Sequence, residues 1–214
     1  MTVFDDDRSR HRLTITVVCT GNICRSPLAE QLLVARLGEA GLSTAITVQS
    51  AGLAAVVGAP MDTVPAEISV RQGGDPSRHR GRQLTASTVD SSDLLLTMTR
   101  AQRDELVHQH PRALRRTFTL TELVKLLALS ANTVDQIGIA AHPGLDGTVA
   151  EKLVQQSHAL SRSRSRITLL PSDDVLDPYR RGRDVHEAVG QQISLACTQI
   201  AHNLAGWAVE TARL

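Results

Sequence analysis

Aromatic residues are scarce in this sequence. Two Phe, one Trp and one Tyr make up 2% of its 214 residues. Proteins that bind single-stranded nucleic acids stack the bases on aromatic side chains, and this chain has too few for such a surface. Its formal net charge is only +1, so it has no overall basic field either. We therefore expect no nucleic acid partner, and a hydrophobic core built from Leu, Val, Ile and Ala.

Long apolar runs and cysteine-rich patterns are also lacking. No apolar run approaches the roughly 20 residues that a helix needs to cross a membrane, so we expect no membrane partner. The first segment, MTVFDDDRSRHR, contains no apolar stretch and is not expected to act as a signal peptide. Three cysteines, two of them in one short segment, argue against a disulfide scaffold and favour a reducing, cytoplasmic location.

The rest of the sequence alternates strand-like and helix-like apolar patterns. Such alternation predicts an α/β fold with a parallel, doubly wound sheet, in which ligands bind at the carboxyl ends of the strands. We predict a polar N-terminal extension at residues 1–11 and a single domain at 12–214. The predicted strands are 13–18, 44–49, 93–98 and 116–120, and the predicted helices are 27–37, 61–70, 99–108, 120–129, 149–158 and 184–208.

Two stretches depart from this alternation. Residues 50–52 are Ser, Ala and Gly, and such small residues predict a turn after the second strand. Residues 130–171 predict an enlarged connection, which is placed to form part of a substrate rim. Within it, the run SRSRSR at 161–166 predicts a solvated segment, because charge runs are usually exposed.

The segment LTITVVCTGNICRSP, residues 13–27, joins a β-branched run to a helical pattern. Its loop places backbone N–H groups at a helix N-terminus, where they can converge on an anion. Cys19 and Arg25 bracket five residues. A guanidinium can bind two phosphoryl oxygens, and the positive surroundings favour a thiolate at Cys19. We therefore predict a phosphate loop, residues 19–25, in which the phosphate contacts Thr20, Gly21, Asn22, Ile23, Cys24 and Arg25.

A second catalytic group follows from the chemistry of this loop. A thiolate that attacks a phosphate monoester expels an alkoxide or phenoxide, which needs a proton from a carboxylic acid. The chain offers two Asp-Pro pairs, at Asp75 and at Asp177. Asp177 follows a short apolar run and precedes Tyr179, whose ring can form an aromatic wall for a flat substrate. Asp177 is therefore the better candidate for the acid.

Several segments resemble the low-molecular-weight protein tyrosine phosphatases. They are VCTGNICRSPLAEQLL, VQSAG, SRHRGRQLT, DLLLTM and LDPY, which occur in the family's order between about residues 13 and 205. The resemblance implies a three-layer α/β sandwich, in which helices flank a four-stranded parallel sheet. It also implies catalysis that uses no metal and no other cofactor.

The resemblance implies three catalytic residues. Cys19 would be the nucleophile, and Arg25 would clamp the phosphate. Asp177 would act first as the general acid and then as the general base for the water that hydrolyses phosphocysteine.

The resemblance also assigns supporting residues. Ser26 would stabilise the Cys19 thiolate, and Asn22 would shape the loop through a network with Ser50 and His79. Cys24 would be able to form a reversible disulfide with the nucleophile.

Three alternatives for the activity are open on the sequence. Ile23 precedes the second loop cysteine, where tyrosine phosphatases of this type carry Ile and related phosphoarginine phosphatases carry Thr. Ile23 therefore favours an aryl phosphate, on a phosphotyrosine protein such as a tyrosine kinase. Arsenate reduction needs further cysteines near the loop, where this sequence has none. A non-catalytic phosphate-binding module is disfavoured because both the cysteine and the acid are present.

Overall fold

A computed structural model describes residues 12–137 and 149–212 of the chain. Four parallel strands form one sheet in the order β2-β1-β3-β4. The strands are β1 Leu13–Cys19, β2 Ile46–Gly52, β3 Leu94–Thr97 and β4 Thr117–Thr119. Because all pairs are parallel, the four carboxyl ends meet at one edge of the sheet. The predicted α/β fold with a four-stranded parallel sheet is confirmed.

Helices cover both faces of this sheet. They are α1 Arg25–Glu39, α2 Thr63–Arg71, α3 Ala86–Asp90, α4 Arg100–Gln109, α5 Leu120–Ile137, α6 Val149–Leu160 and α7 Arg183–Ala212. Neighbouring residues of β1 belong to two different core clusters, since Val17 packs with α1, α5 and α7, whereas Val18 packs with residues of α3 and α4. This alternation is expected of a strand that is buried on both faces, and it gives three layers.

The prediction of a turn at residues 50–52 was wrong. These residues continue β2, where Ser50 pairs with Val17, Ala51 with Val18 and Gly52 with Cys19. Their small size serves close packing instead, because a Cβ atom on Gly52 would lie 2.5 Å from the carbonyl oxygen of Thr20. The strand therefore runs as far as the phosphate loop and contacts it directly.

The prediction that residues 161–166 are solvated was also wrong in part. The run forms a 3-10 helix in which the Arg164 guanidinium lies 4.3 Å from the centroid of the Phe118 ring. Its Nε lies 3.1 Å from the Glu122 carboxylate, which is almost fully buried. A buried carboxylate needs a cationic partner, and the long apolar stem of arginine can reach it over an aromatic ring.

Some predictions fall on parts of the chain that the structure does not describe. They are the polar extension at residues 1–11 and residues 138–148 of the enlarged connection. Within the described ranges, no helix is both long and apolar enough to cross a membrane.

Candidate active site

The phosphate loop connects the last residue of β1, Cys19, to the first residue of α1, Arg25. Cys19 is 3% exposed, and its sulfur lies 3.0 Å from the Ser26 hydroxyl oxygen. The backbone N–H of Asn22 donates to the same sulfur at 3.3 Å. The Cys19 sulfur thus lies within hydrogen-bond distance of one hydroxyl and one backbone amide.

Asn22 lies at the centre of the loop with a positive φ of 54°. Asparagine tolerates this left-handed conformation better than most residues. Its side-chain amide donates to the hydroxyls of Ser26 at 3.0 Å and Ser50 at 2.8 Å. Its side-chain oxygen accepts the backbone N–H of Arg82 at 2.8 Å, and Nε2 of His79 lies 2.8 Å from its carbonyl oxygen. The structure thus brings together Asn22, Ser26, Ser50 and His79.

Glu30 extends this network and was missed from the sequence. The Ser50 hydroxyl donates to its carboxylate at 2.5 Å, and Nδ1 of His79 lies 3.9 Å from the same oxygen. Glu30 lies one helical turn after Ser26, so both residues share a face of α1. An acidic residue at that spacing was the available signal. Arg82 contributes through its backbone, so its side chain gave no signal.

Asp177 reaches the phosphate loop through Arg25. The Arg25 guanidinium, 5% exposed, pairs with the Asp177 carboxylate at 2.8 Å and donates to the carbonyl of Val175 at 3.2 Å. The backbone N–H of Tyr179 donates to the other Asp177 oxygen at 3.2 Å. The Asp177 side chain is half exposed, so it is accessible to a substrate.

Asp75, the other acid candidate, lies elsewhere. It lines a separate cavity together with Glu30, Arg78 and His79. Hydrogen bonds from Ser77 hold the pKa of Asp75 below its ordinary value, which favours the ionised carboxylate over a proton donor.

A cavity of about 190 Å³ is lined by the predicted catalytic residues and by the predicted substrate-binding residues except Asn22, which is fully buried. Val56, from the loop after β2, lines the cavity and was not predicted. None of the described residues of the 130–171 connection does so, and Arg164 instead contacts Leu114 and Thr117 at the amino end of β4. The full lining is Cys19, Thr20, Gly21, Ile23, Cys24, Arg25, Val56, Asp177 and Tyr179.

The other two cysteines are buried thiols. Burial, together with the neighbouring Cys19, raises the pKa of Cys24 to about 12. Burial also raises the pKa of Cys197 to about 12, and its thiol contacts the carbonyl of Ala29 at 3.6 Å. Both are therefore protonated at neutral pH. The described ranges hold no cluster of three or more His, Cys, Asp or Glu side chains suited to a metal ion.

A sequence model of the family described as low molecular weight phosphotyrosine protein phosphatase matches residues 14–136. This match spans more than half of the chain. The chain belongs to this family. The matched region includes the phosphate loop, Ser50 and His79. Asp177 lies beyond it and is connected to the phosphatase site by its contact with Arg25 and by its place in the lining of the cavity.

Individual relatives agree with this family assignment. A probable low molecular weight protein-tyrosine-phosphatase, EpsP of Ralstonia nicotianae, is 43% identical over 110 residues, which cover 51% of this chain and 72% of the relative. A protein-arginine-phosphatase of Geobacillus stearothermophilus is 36% identical over 110 residues, covering 51% of this chain and 70% of the relative. The solved structure of Vibrio vulnificus Wzb in complex with benzylphosphonate matches with a TM-score of 0.60 at 25% identity, covering 88% of this chain and 97% of that one.

Proposed function

We propose that the protein is a protein-tyrosine phosphatase that hydrolyses phosphotyrosine through a phosphocysteine intermediate. The observation that carries the proposal is that Cys19, Arg25 and Asp177 line one cavity of a phosphatase fold. A nucleophile, a phosphate clamp and a proton donor are the three groups that the two-step reaction needs.

In the first step, Cys19 attacks phosphorus while the phosphoryl oxygens are bound by Arg25 and the backbone N–H groups of the phosphate loop. A sulfur–phosphorus bond forms, and the bond between phosphorus and the tyrosine oxygen breaks. The leaving phenoxide takes a proton from Asp177. Arg25 is well suited to its part, because its contacts with Asp177 and Val175 already hold the guanidinium in place.

In the second step, water attacks phosphorus and the sulfur–phosphorus bond breaks. Asp177, now a carboxylate, accepts a proton from the water, and inorganic phosphate leaves. The electron pair returns to the Cys19 sulfur. The Ser26 hydroxyl and the Asn22 N–H, which lie 3.0 Å and 3.3 Å from that sulfur, stabilise the departing thiolate.

An aryl phosphate fits the walls of the cavity. Ile23 and Val56 offer apolar side chains, and Tyr179 offers a ring that is half exposed. Vibrio vulnificus Wzb, a structural relative, is known in complex with benzylphosphonate, an aromatic phosphonate. Because Asp177 and Tyr179 are both accessible, a phosphotyrosine on the surface of a protein, including a tyrosine kinase, can reach them.

Hydrolysis of phosphoarginine is a second candidate, since the Geobacillus relative is a protein-arginine-phosphatase. Ile23 opposes it, because a hydroxyl at this position would help to orient water for a phosphoarginine substrate. Arsenate reduction is less well supported, because the third cysteine, Cys197, is fully buried on α7.

We also propose a cytoplasmic site of action, where a reducing environment keeps Cys19 and Cys24 as thiols.

The test compares phosphotyrosine and phosphoarginine peptides of one sequence as substrates of the purified protein. We expect kcat/KM to be at least about 10-fold higher for phosphotyrosine, and Ile23→Thr to reduce this ratio. Cys19→Ser should abolish turnover of both peptides and still bind inorganic phosphate. A preference for phosphoarginine in the unmodified protein would overturn the tyrosine assignment, and turnover by Cys19→Ser would overturn the cysteine mechanism.

A further inference from the structure

The first turn of α4 is bound to the segment that carries the proposed acid. The backbone N–H of Arg100 donates to the Asp174 carboxylate at 2.9 Å. The Arg100 guanidinium adds hydrogen bonds from Nε to both carboxylate oxygens and from Nη2 to one of them, each at 3.3 Å. Asp174 thus supplies α4 with an acceptor for a free N–H group and with a negative charge near its N-terminus.

Asp174 and Val175 are the last residues before Asp177 that the surrounding structure holds in place. The next residue, Val175, is fully buried, and its N–H donates to the carbonyl of Met98 at 2.9 Å. The carbonyl of Val175 accepts from Arg25 at 3.2 Å. Beyond this point the chain emerges, since Leu176 is 49% exposed and the Asp177 side chain 52%. The position of Asp177 therefore depends on how Asp174 and Val175 are held.

The same turn of α4 is also bound to the phosphate loop. The side-chain amide of Gln102, a buried residue, donates to the Thr20 hydroxyl at 3.0 Å. Its side-chain oxygen accepts the N–H groups of Met98 at 3.1 Å and Thr99 at 3.2 Å. One helical turn thus contacts both the loop that contains the nucleophile and the segment that carries the acid.

We propose that Arg100 is a positioning residue of the phosphatase, which acts through Asp174 to hold Asp177 over the phosphate loop. The proposal rests on the proposed function, since it assumes that Asp177 is the acid. Arg100 does not line the cavity that contains Cys19 and Asp177. The side chains of the Arg100–Asp174 pair are 34% and 27% exposed. A pair this exposed contributes little to folding stability, whereas a forked contact fixes geometry.

The test measures how strongly activity depends on the leaving group. An acid that is displaced by a fraction of an ångström transfers its proton poorly, which matters for phosphotyrosine and hardly for p-nitrophenyl phosphate. We expect Arg100→Gln to lower kcat/KM, which reports the step in which the leaving group departs, roughly 10-fold on phosphotyrosine and less than about 2-fold on p-nitrophenyl phosphate. Asp174→Asn should give a shift in the same direction, and Arg100→Lys should restore part of the loss.

Arg103→Gln is the matched control on the same helix. Arg103 pairs with Asp104 and Glu122, away from the acid segment. If Arg100 only stabilised α4, Arg100→Gln and Arg103→Gln would each reduce the fraction of folded enzyme. Each variant would then lower the activities on phosphotyrosine and on p-nitrophenyl phosphate by the same factor, and the proposal would be wrong. Weaker binding of the phosphotyrosine peptide by Arg100→Gln, measured in the inactive Cys19→Ser background, would also overturn it, because that result indicates direct substrate binding.

A double-mutant cycle with Asp177→Ala tests the positioning role of Arg100 separately from the role of Asp177 as the acid. If Arg100 acts through Asp177, adding Arg100→Gln to Asp177→Ala should cause no further loss on phosphotyrosine. An additive loss would overturn the proposal. If Asp177→Ala by itself left kcat/KM unchanged, the assignment of the acid would fall, and the positioning role of Arg100 would fall with it. A loss with Asp177→Ala and none with Arg100→Gln or Asp174→Asn would overturn the positioning role alone.

Discussion

At the scale of single residues, Asn22 determines the shape of the phosphate loop. Its backbone occupies the left-handed region, while its side chain bonds to Ser26, Ser50 and the N–H of Arg82. The N–H of the same residue donates to Cys19. The conformation of one residue is therefore coupled to both the path of the loop and the hydrogen bonding of Cys19.

Two substitutions separate these contributions of Asn22. Asn22→Gly removes the side-chain hydrogen bonds and keeps the left-handed backbone free of strain, whereas Asn22→Ala also adds strain. We expect both to lower kcat about 10-fold, because the loop loses its anchors. Urea unfolding should show Asn22→Ala to be about 1 kcal/mol less stable than Asn22→Gly. Equal stability of the two variants would contradict the strain argument.

The role of Asp177 is tested by the leaving group. Asp177→Ala should lower kcat/KM on phosphotyrosine by roughly 100-fold or more, because the phenoxide then leaves without a proton in the first step. The loss on p-nitrophenyl phosphate should be much smaller, since nitrophenolate is a stable anion. Initial rates on both substrates give the comparison, with Asp75→Ala as the control that should leave both activities unchanged. Equal losses on the two substrates with Asp177→Ala would exclude Asp177 as the acid.

At the scale of elements, the end of β2 differs from its prediction, because residues 50–52 form strand and not a turn. Small residues in sequence are typical of turns, and nothing local distinguishes a turn from a strand that must approach another backbone closely. The close approach at Gly52 is to Thr20, a contact between segments distant in the sequence. The helix α3 was not predicted, because it is only five residues long. The burial of Arg164 was not predicted either, because it depends on contacts with Phe118 and Glu122, which are distant in the sequence.

Gly52→Ala tests the close approach between β2 and the phosphate loop. The added Cβ would lie 2.5 Å from the Thr20 carbonyl oxygen and 3.0 Å from the Cα of Ala55, so the backbone must shift. We expect a loss of about 1–3 kcal/mol in the free energy of unfolding, with a fall in kcat. Gly38→Ala is the control, since its Cβ would meet nothing within 4 Å in α1. It should stabilise the protein by roughly 0.5–1 kcal/mol.

At the scale of the whole molecule, charged pairs hold together both the segments around the site and the packed helices. The phosphate loop follows the carboxyl end of β1, and the Val175 N–H binds Met98 just after β3. The ion pairs of Glu122 and Asp173 hold helices and connecting segments together.

The pH dependence of stability follows from one of these pairs. Burial opposes ionisation of Asp173, but hydrogen bonds from Lys125 and from the Leu170 N–H outweigh it and hold the pKa of Asp173 below its ordinary value. A carboxyl with a depressed folded pKa stabilises the fold above its unfolded pKa of about 4, and this contribution is lost as the pH falls through the folded value.

We therefore expect Lys125→Met to lower the free energy of unfolding by roughly 0.5–1 kcal/mol at neutral pH. The difference from the unmodified protein should shrink as the pH is lowered from about 6 to about 3, which urea unfolding at several pH values measures. Arg36→Gln removes the exposed pair with Glu39 and should leave the pH dependence unchanged. A constant difference between Lys125→Met and the unmodified protein would contradict the argument.

How much of the site the sequence predicts depends on how local each contact is. Cys19 and Arg25 lie in one contiguous segment whose spacing carries the chemistry, so they were predictable. Asp177 needed the chemical argument for an acid and a choice between two Asp-Pro pairs. Val56 and Arg100 come near the site only through tertiary packing, and no local pattern marks them. The strands and long helices were predictable because their apolar periodicity is local.

In the free site, the Asp177 carboxylate is paired with Arg25 and therefore competes with inorganic phosphate for the guanidinium. Because the carboxylate belongs to the same chain, its effective concentration at the guanidinium does not fall when the protein is diluted. Each departing phosphate ion is thus replaced at Arg25 by Asp177, and a product ion that returns must displace the carboxylate again. If Arg25 binds phosphate as proposed, we expect its contact with Asp177 to weaken inhibition by the product.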